Sequence, residues 1–132
     1  MSMQSFTDLK VWQRGTELVC EAEKLVEKFP PTELYVLSKQ LRASTRSITA
    51  NIAEGFGKFT FPDKAGKYVI ARGECTESES HILTAIALKY VTVQESQLAL
   101  DLTHEIGRML SGLISSFRKK SSRFRQVPSP SP

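Results

Sequence analysis

The chain has 132 residues, of which 40% are hydrophobic and 24% charged, with a formal net charge of +4. That length fits one domain around a modest core, and the composition excludes a disordered chain. No run approaches the roughly 18–20 apolar residues needed to cross a bilayer, and the opening "MSMQSFTD" lacks the basic-then-apolar pattern of a secretion signal, so a cytoplasmic location is expected.

The placement of charge says more than its total. Arg118, Lys119, Lys120, Arg123 and Arg125 fall within eight positions, and all 14 acidic residues precede them. Without these five, 13 basic residues stand against 14 acidic ones, leaving a body of formal charge −1. Cys20 and Cys75 lack the paired spacing of a metal knuckle or redox motif, and both are expected as buried thiols.

The first segment, Leu9 to Phe29, carries Leu9, Trp12, Thr16, Val19, Ala22 or Glu23, Val26 and Phe29 at helical steps of three and four. Gly15 lowers its propensity but permits a close neighbour. The prolines of "FPPTE" end it. Thr32 is the expected cap of a second helix, with Leu34, Leu37, Leu41, Ser44, Ile48, Ile52 and Gly55 on one stripe. "GFGKFTFPD" closes that helix and opens the next, since Thr60 and Asp63 have capping-box spacing and Pro62 suits a first turn. The third helix, about Phe61 to Tyr90, aligns Tyr68, Ala71, Cys75, Ile82 and Ile86. Thr92 and Glu95 repeat the capping pattern before a fourth, with Leu98, Leu102, Ile106, Met109, Leu113 and Phe117 in register.

Four long segments with short linkers predict an all-α, antiparallel up-down-up-down four-helix bundle over residues 1–120. Residues 121–132, "SSRFRQVPSPSP", hold three prolines and no apolar stripe, and read as a flexible basic tail. Ala43, Ala50 and Ala53 on the second helix, and Val69, Ile70, Ala87 and Leu88 on the third, lie off the main stripes. A helix that is apolar around much of its circumference is buried on more than one side, so a homo-oligomer is expected.

Asn51 lies about 60° from Ile48 on the helical wheel, with Gln40, Ser47 and Glu54 on the same flank. Arg72, Glu77 and Glu79 on the third helix are the potential partners, with Asn51 donating to Glu77 or Glu79. These seven residues are expected to form a structural polar network that fixes helix register. A metal or hydrolytic site built on Glu54, Glu77 and Glu79 is the alternative, but the Glu-x-x-His pairs of di-metal bundles are missing and His81 and His104 do not supply them. No nucleophile elbow or phosphate loop is present, so neither enzymatic activity nor a cofactor is expected.

The phosphate-binding candidates are Lys58, Arg118, Lys119, Lys120, Arg123 and Arg125, with Phe124 available to stack on bases. These predict a non-enzymatic oligomeric scaffold with RNA or DNA as partner. The alternative is a protein-binding accessory module for a polymerase or another nucleic-acid-processing protein.

"FTDLKVWQRGTEL" (Phe6–Leu18), "ELYVLSKQLRASTRSITANIAEGFGK" (Glu33–Lys58) and "ARGECTES" (Ala71–Ser78) resemble the family called 23S rRNA intervening-sequence protein, or S23 ribosomal protein. Leu37, Gln40, Leu41, Arg42, Ser47, Ile48, Asn51, Ile52, Glu54 and Gly55 match its central motif in order, and Glu77 matches in the third helix. Gly73-Glu74-Cys75 departs from the Gly-Ser-Leu common there. The resemblance implies an antiparallel four-helix bundle assembled as a ring-like homopentamer. A more distant resemblance, to the accessory protein of diversity-generating retroelements, implies nucleic acid and a reverse transcriptase as partners.

Overall fold

The computed structural model describes residues 3–125. A short 3-10 turn at Phe6–Asp8, closed by a Ser5/Asp8 capping box, leads into α1 (Lys10–Val26). A second 3-10 turn at Pro31–Glu33 precedes α2 (Leu37–Gly57), followed by α3 (Phe61–Ala87) and α4 (Val93–Arg125). Each helix packs against its neighbour in sequence and α1 closes on α4, completing the predicted antiparallel bundle.

The caps show why the elements stop where they do. Thr92 N–H donates to Glu95 Oε1 at 2.9 Å and Glu95 N–H returns to Thr92 Oγ1 at 3.1 Å, the full reciprocal box. At α3, Asp63 N–H donates to Thr60 Oγ1 at 3.2 Å. Thr32 does not cap α2; it lies in the 3-10 turn, and Glu33 accepts from the Leu37 N–H instead. α3 ends with Lys89 at φ 64°, the left-handed conformation that lets the Tyr90 N–H reach back to the carbonyl of Ala85.

The buried face of α2 is nearly the predicted one: Leu37, Leu41, Ser44, Ile48, Ile52 and Gly55 point inward, while Leu34 is exposed in the preceding turn. Ala22, Val26 and Phe29 of the first segment are buried as predicted, but the first half of α1 and the second half of α4 are rotated from expectation. Val11, Gly15, Leu18 and Ala22 face the core of α1, and Trp12 and Val19 sit at its margin. In α4 the interior is formed by Ala99, Leu102, Ile106, Leu110 and Ile114; Met109, Leu113 and Phe117 are half-buried and Leu98 is exposed.

Small residues set the closest approaches. A Cβ on Gly15 would stand 2.7 Å from the Thr49 methyl, so this glycine is where α1 meets α2. The hydroxyls of Ser44 and Ser78 share a hydrogen bond of 2.7 Å between α2 and α3; one of them donates it, and the other donates back to a carbonyl of its own helix, Leu41 O for Ser44 or Glu74 O for Ser78.

One of the two cysteines differs from expectation. Cys75 is buried and its Sγ donates to the Thr103 carbonyl at 3.1 Å, whereas Cys20 is exposed because the rotation of α1 turns it outward. Burial, and then the charge of Glu79, push the Cys75 thiol up to about 11. A disulfide-exchange reagent at pH 8 is therefore expected to titrate Cys20 alone in the folded chain and both thiols after denaturation. Two fast equivalents in the folded chain would contradict this arrangement.

Candidate nucleic-acid interface

One end of the bundle gathers the C-terminus of α2, the N-terminus of α3 and the last turns of α4. Phe117 joins them: its ring stacks on Phe61 at 5.9 Å and on Tyr68 at 5.8 Å. Beyond it, Arg118, Lys119, Lys120 and Arg123 are all exposed, and among the described residues no carboxylate lies within ion-pairing distance of them. Lys120 Nζ lies 5.0 Å from the Phe117 ring centroid and 5.9 Å from that of Phe61, so its charge is held over aromatic faces at the surface.

Lys58 is brought to this same end, three positions before Phe61, at the C-cap of α2 and exposed. Phe59 beside it is 99% exposed, while Phe56 and Phe61 are half-buried. Of these three phenylalanines, only Phe59 therefore presents a free face for stacking. Phe124 and Arg125, also predicted to bind, lie outside the residues whose side chains are described. α4 extends through Arg125, so the first five positions of the predicted tail continue the helix; residues 126–132 fall outside the described residues.

Two lysines of this end were not singled out in the sequence. Lys64 is half-buried, donating to the carbonyl of Phe56 at 2.7 Å and lying 5.7 Å from the Phe56 ring and 6.0 Å from the Phe117 ring. Its partial burial pulls the ammonium below the usual lysine range. Lys67 pairs with Glu54 at 2.8 Å, and that bond and charge hold Glu54 below the usual carboxylate range. Lysine spacing alone does not distinguish these two from the free cations; their fates are set by which α2 atoms lie opposite.

The residues of the expected polar network are divided among separate contacts. Asn51 Nδ2 donates to Ser47 O at 2.9 Å and Ser47 Oγ at 3.1 Å, one turn back on its own helix. Glu77 faces His81 at 3.3 Å within α3, and Glu79 faces His104 of α4 at 3.0 Å. Arg72 Nη1 donates to Ser111 Oγ at 3.3 Å, and Gln40 is exposed. Within one chain only Ser47 and Asn51 are joined. The helical wheel puts Asn51 near α3, but its amide is satisfied one turn back, within α2, before it spans the gap.

Among the described residues, no group of three or more His, Cys, Asp or Glu side chains is placed to hold a metal ion. No described helix is long and apolar enough to cross a membrane.

The fold and its capped, closely packed helices define a small antiparallel four-helix-bundle protein with one basic end. The chain belongs to the 23S rRNA-intervening sequence protein family, whose model matches residues 7–112. It is similar to the crystal structure of a protein of unknown function from the S23 ribosomal protein family of Bacteroides thetaiotaomicron, with 27% identity and a TM-score of 0.73 over 79% of this chain and 97% of that one. No curated protein is similar enough to the chain to match it.

Proposed function

We propose that the chain is a non-enzymatic, cytoplasmic, oligomeric scaffold that binds RNA or DNA through the basic end of α4. The observation that carries this reading is the exposed group Arg118, Lys119, Lys120 and Arg123, unpaired among the described residues, on a helix whose last acidic residue is Glu105. Cations so placed exchange condensed counterions for phosphates, and several copies in one assembly multiply modest contacts through effective concentration. The assembly is supported by Ile70 and Leu83, which are about half exposed on α3 away from its buried face; a ring of five is what the family resemblance implies.

The test is fluorescence anisotropy of labelled RNA and duplex DNA across a salt series, with mass followed by light scattering. Replacing Arg118, Lys119, Lys120 and Arg123 with glutamine is expected to leave the mass unchanged and to reduce the salt slope by about 3. Lys58→Glu is expected to weaken binding further. A parent chain that binds neither nucleic acid overturns the reading.

A second reading, the protein-binding module, is favoured by the opposite end. Tyr35 is 82% exposed, flanked by exposed Leu34 and Val36, and Leu88 and Val93 are about half exposed where α3 meets α4. The Phe29–Tyr90 ring contact, at 5.7 Å, ties these two connections together. An apolar end of this kind suits a polymerase or another nucleic-acid-processing partner. In this reading, Tyr35→Asp releases the partner while nucleic-acid binding is retained.

A further inference from the structure

We propose that the valley between α3 and α4 is a track for a single-stranded nucleic-acid backbone, entered from the basic end. This rests on the nucleic-acid reading above and narrows it to one substrate class and one path. Two hollows of about 490 and 400 Å³ lie in line along these helices and share Arg72 and Ser111. A third, at Pro62 and Gly66 of α3, adjoins the second of these through Arg118 and Ser122. From Thr103 to Ser122 of α4 the valley is about 28 Å long at the rise of an α-helix.

Its shape follows from side-chain size. α4 turns Gly107, Ser111, Ser115 and Ser122 toward the valley, none long enough to fill it. Four cations edge it: Arg72 from α3, and Arg108, Arg118 and Lys119 from α4. Among the described residues none of the four is ion-paired with a carboxylate, and Arg72 spends one N–H on Ser111, leaving guanidinium donors and the serine hydroxyl proton for an anion. Hydroxyls and guanidinium groups along a polar trough are phosphate ligands.

The course of the valley favours the form of the ligand. It follows two packed helices whose axes stand about 8–10 Å apart, a straight path that suits one extended backbone better than the body of a duplex. Glu79, held by His104 at 3.0 Å, stands at the far end and repels phosphate there, giving the track a stop. At the near end lies the turn that carries fully exposed Phe59, three positions before Pro62, as a stacking platform for a base leaving the track.

Gly107 allows a test without change of charge, because a Cβ built there meets nothing within 4 Å. Full-length chains carrying Gly107→Leu, or Arg72→Gln with Arg108→Gln, are compared with the parent by anisotropy on labelled oligothymidylate, oligouridylate and a duplex of equal length. Circular dichroism melting serves as the folding control. The arginine variant is expected to lose about tenfold in single-strand affinity, with the salt slope reduced by about 0.7 for each lost phosphate contact. Gly107→Leu is expected to weaken single-strand binding with the slope largely kept, and duplex binding should change less than threefold in both. Parent-like single-strand binding by both variants, while neutralising Arg118, Lys119, Lys120 and Arg123 still abolishes it, overturns the track and leaves the nucleic-acid reading intact. A parent that binds no nucleic acid overturns both.

Discussion

Gly55→Val is expected to destabilise the fold by about 3 kcal/mol, seen as a lower midpoint in chemical denaturation. A Cβ at position 55 would stand 2.8 Å from Tyr68 Cε1 and 3.1 Å from two further ring atoms, so the aromatic ring lies directly over the glycine. Tyr68 is buried, and its ring also stacks on Phe117, which stacks in turn on Phe61. A shift of the ring away from a new side chain would disturb that stack. Replacing glycine also recovers about 1 kcal/mol of helix propensity with alanine and less with a β-branched residue, which is why valine separates the two effects. Shortening the obstacle in the double variant Gly55→Val/Tyr68→Leu should restore part of the loss relative to the two single changes added. Strict additivity of the two would show that the glycine and the ring are not in contact.

Lys64→Glu is expected to cost about 3 kcal/mol, while Lys64→Arg retains most of the stability. The ammonium donates to Phe56 O, and more distantly to Gly55 O at 3.4 Å, at the C-terminus of α2 where carbonyls lack helical partners. The partial negative charge of a helix C-terminus favours a cation there. Two ring faces, Phe56 and Phe117, favour the same sign. A carboxylate would remove the donor and face carbonyl oxygens and ring faces that repel it. The variant should therefore unfold at lower denaturant with an unchanged slope; an unchanged midpoint would mean that the side chain is not seated on α2 in solution.

The legibility of the fold varied from helix to helix for a physical reason. α2 carries one apolar stripe among polar residues, and its inward face was read correctly from Leu37 to Gly55. In α1 and α4 apolar residues come in adjacent pairs, Val11-Trp12, Leu18-Val19, Met109-Leu110 and Leu113-Ile114, and each pair offers two stripes about 100° apart. The stripe through Trp12 and Phe117 took the margin, while Gly15, at the close approach of α1 to α2, and the small residues Ala22 and Ala99 took the interior. The basic cluster of α4 was visible as a run. The α3–α4 valley was not, because Arg72 and Arg108 lie 36 positions apart and become neighbours across it only when antiparallel helices pair. Asn51 looked like a bridge because a helical wheel shows direction and not the bond its amide has already made with Ser47.

The helices also differ in length, 17 residues in α1 against 33 in α4. Ile114 is the last fully buried side chain of α4; beyond it only Phe117 and Ser121 are even half-covered among the described side chains. α4 is thus one helix in geometry and two in energy. Its first part opens only with the whole bundle, while its end is held by its own backbone bonds against the mutual repulsion of Arg118, Lys119, Lys120 and Arg123. Amide exchange should accordingly quicken turn by turn after Ile114. An anion bound at those charges should slow it again, so that the end of α4 would report occupancy as protection, without any rearrangement of the bundle behind it.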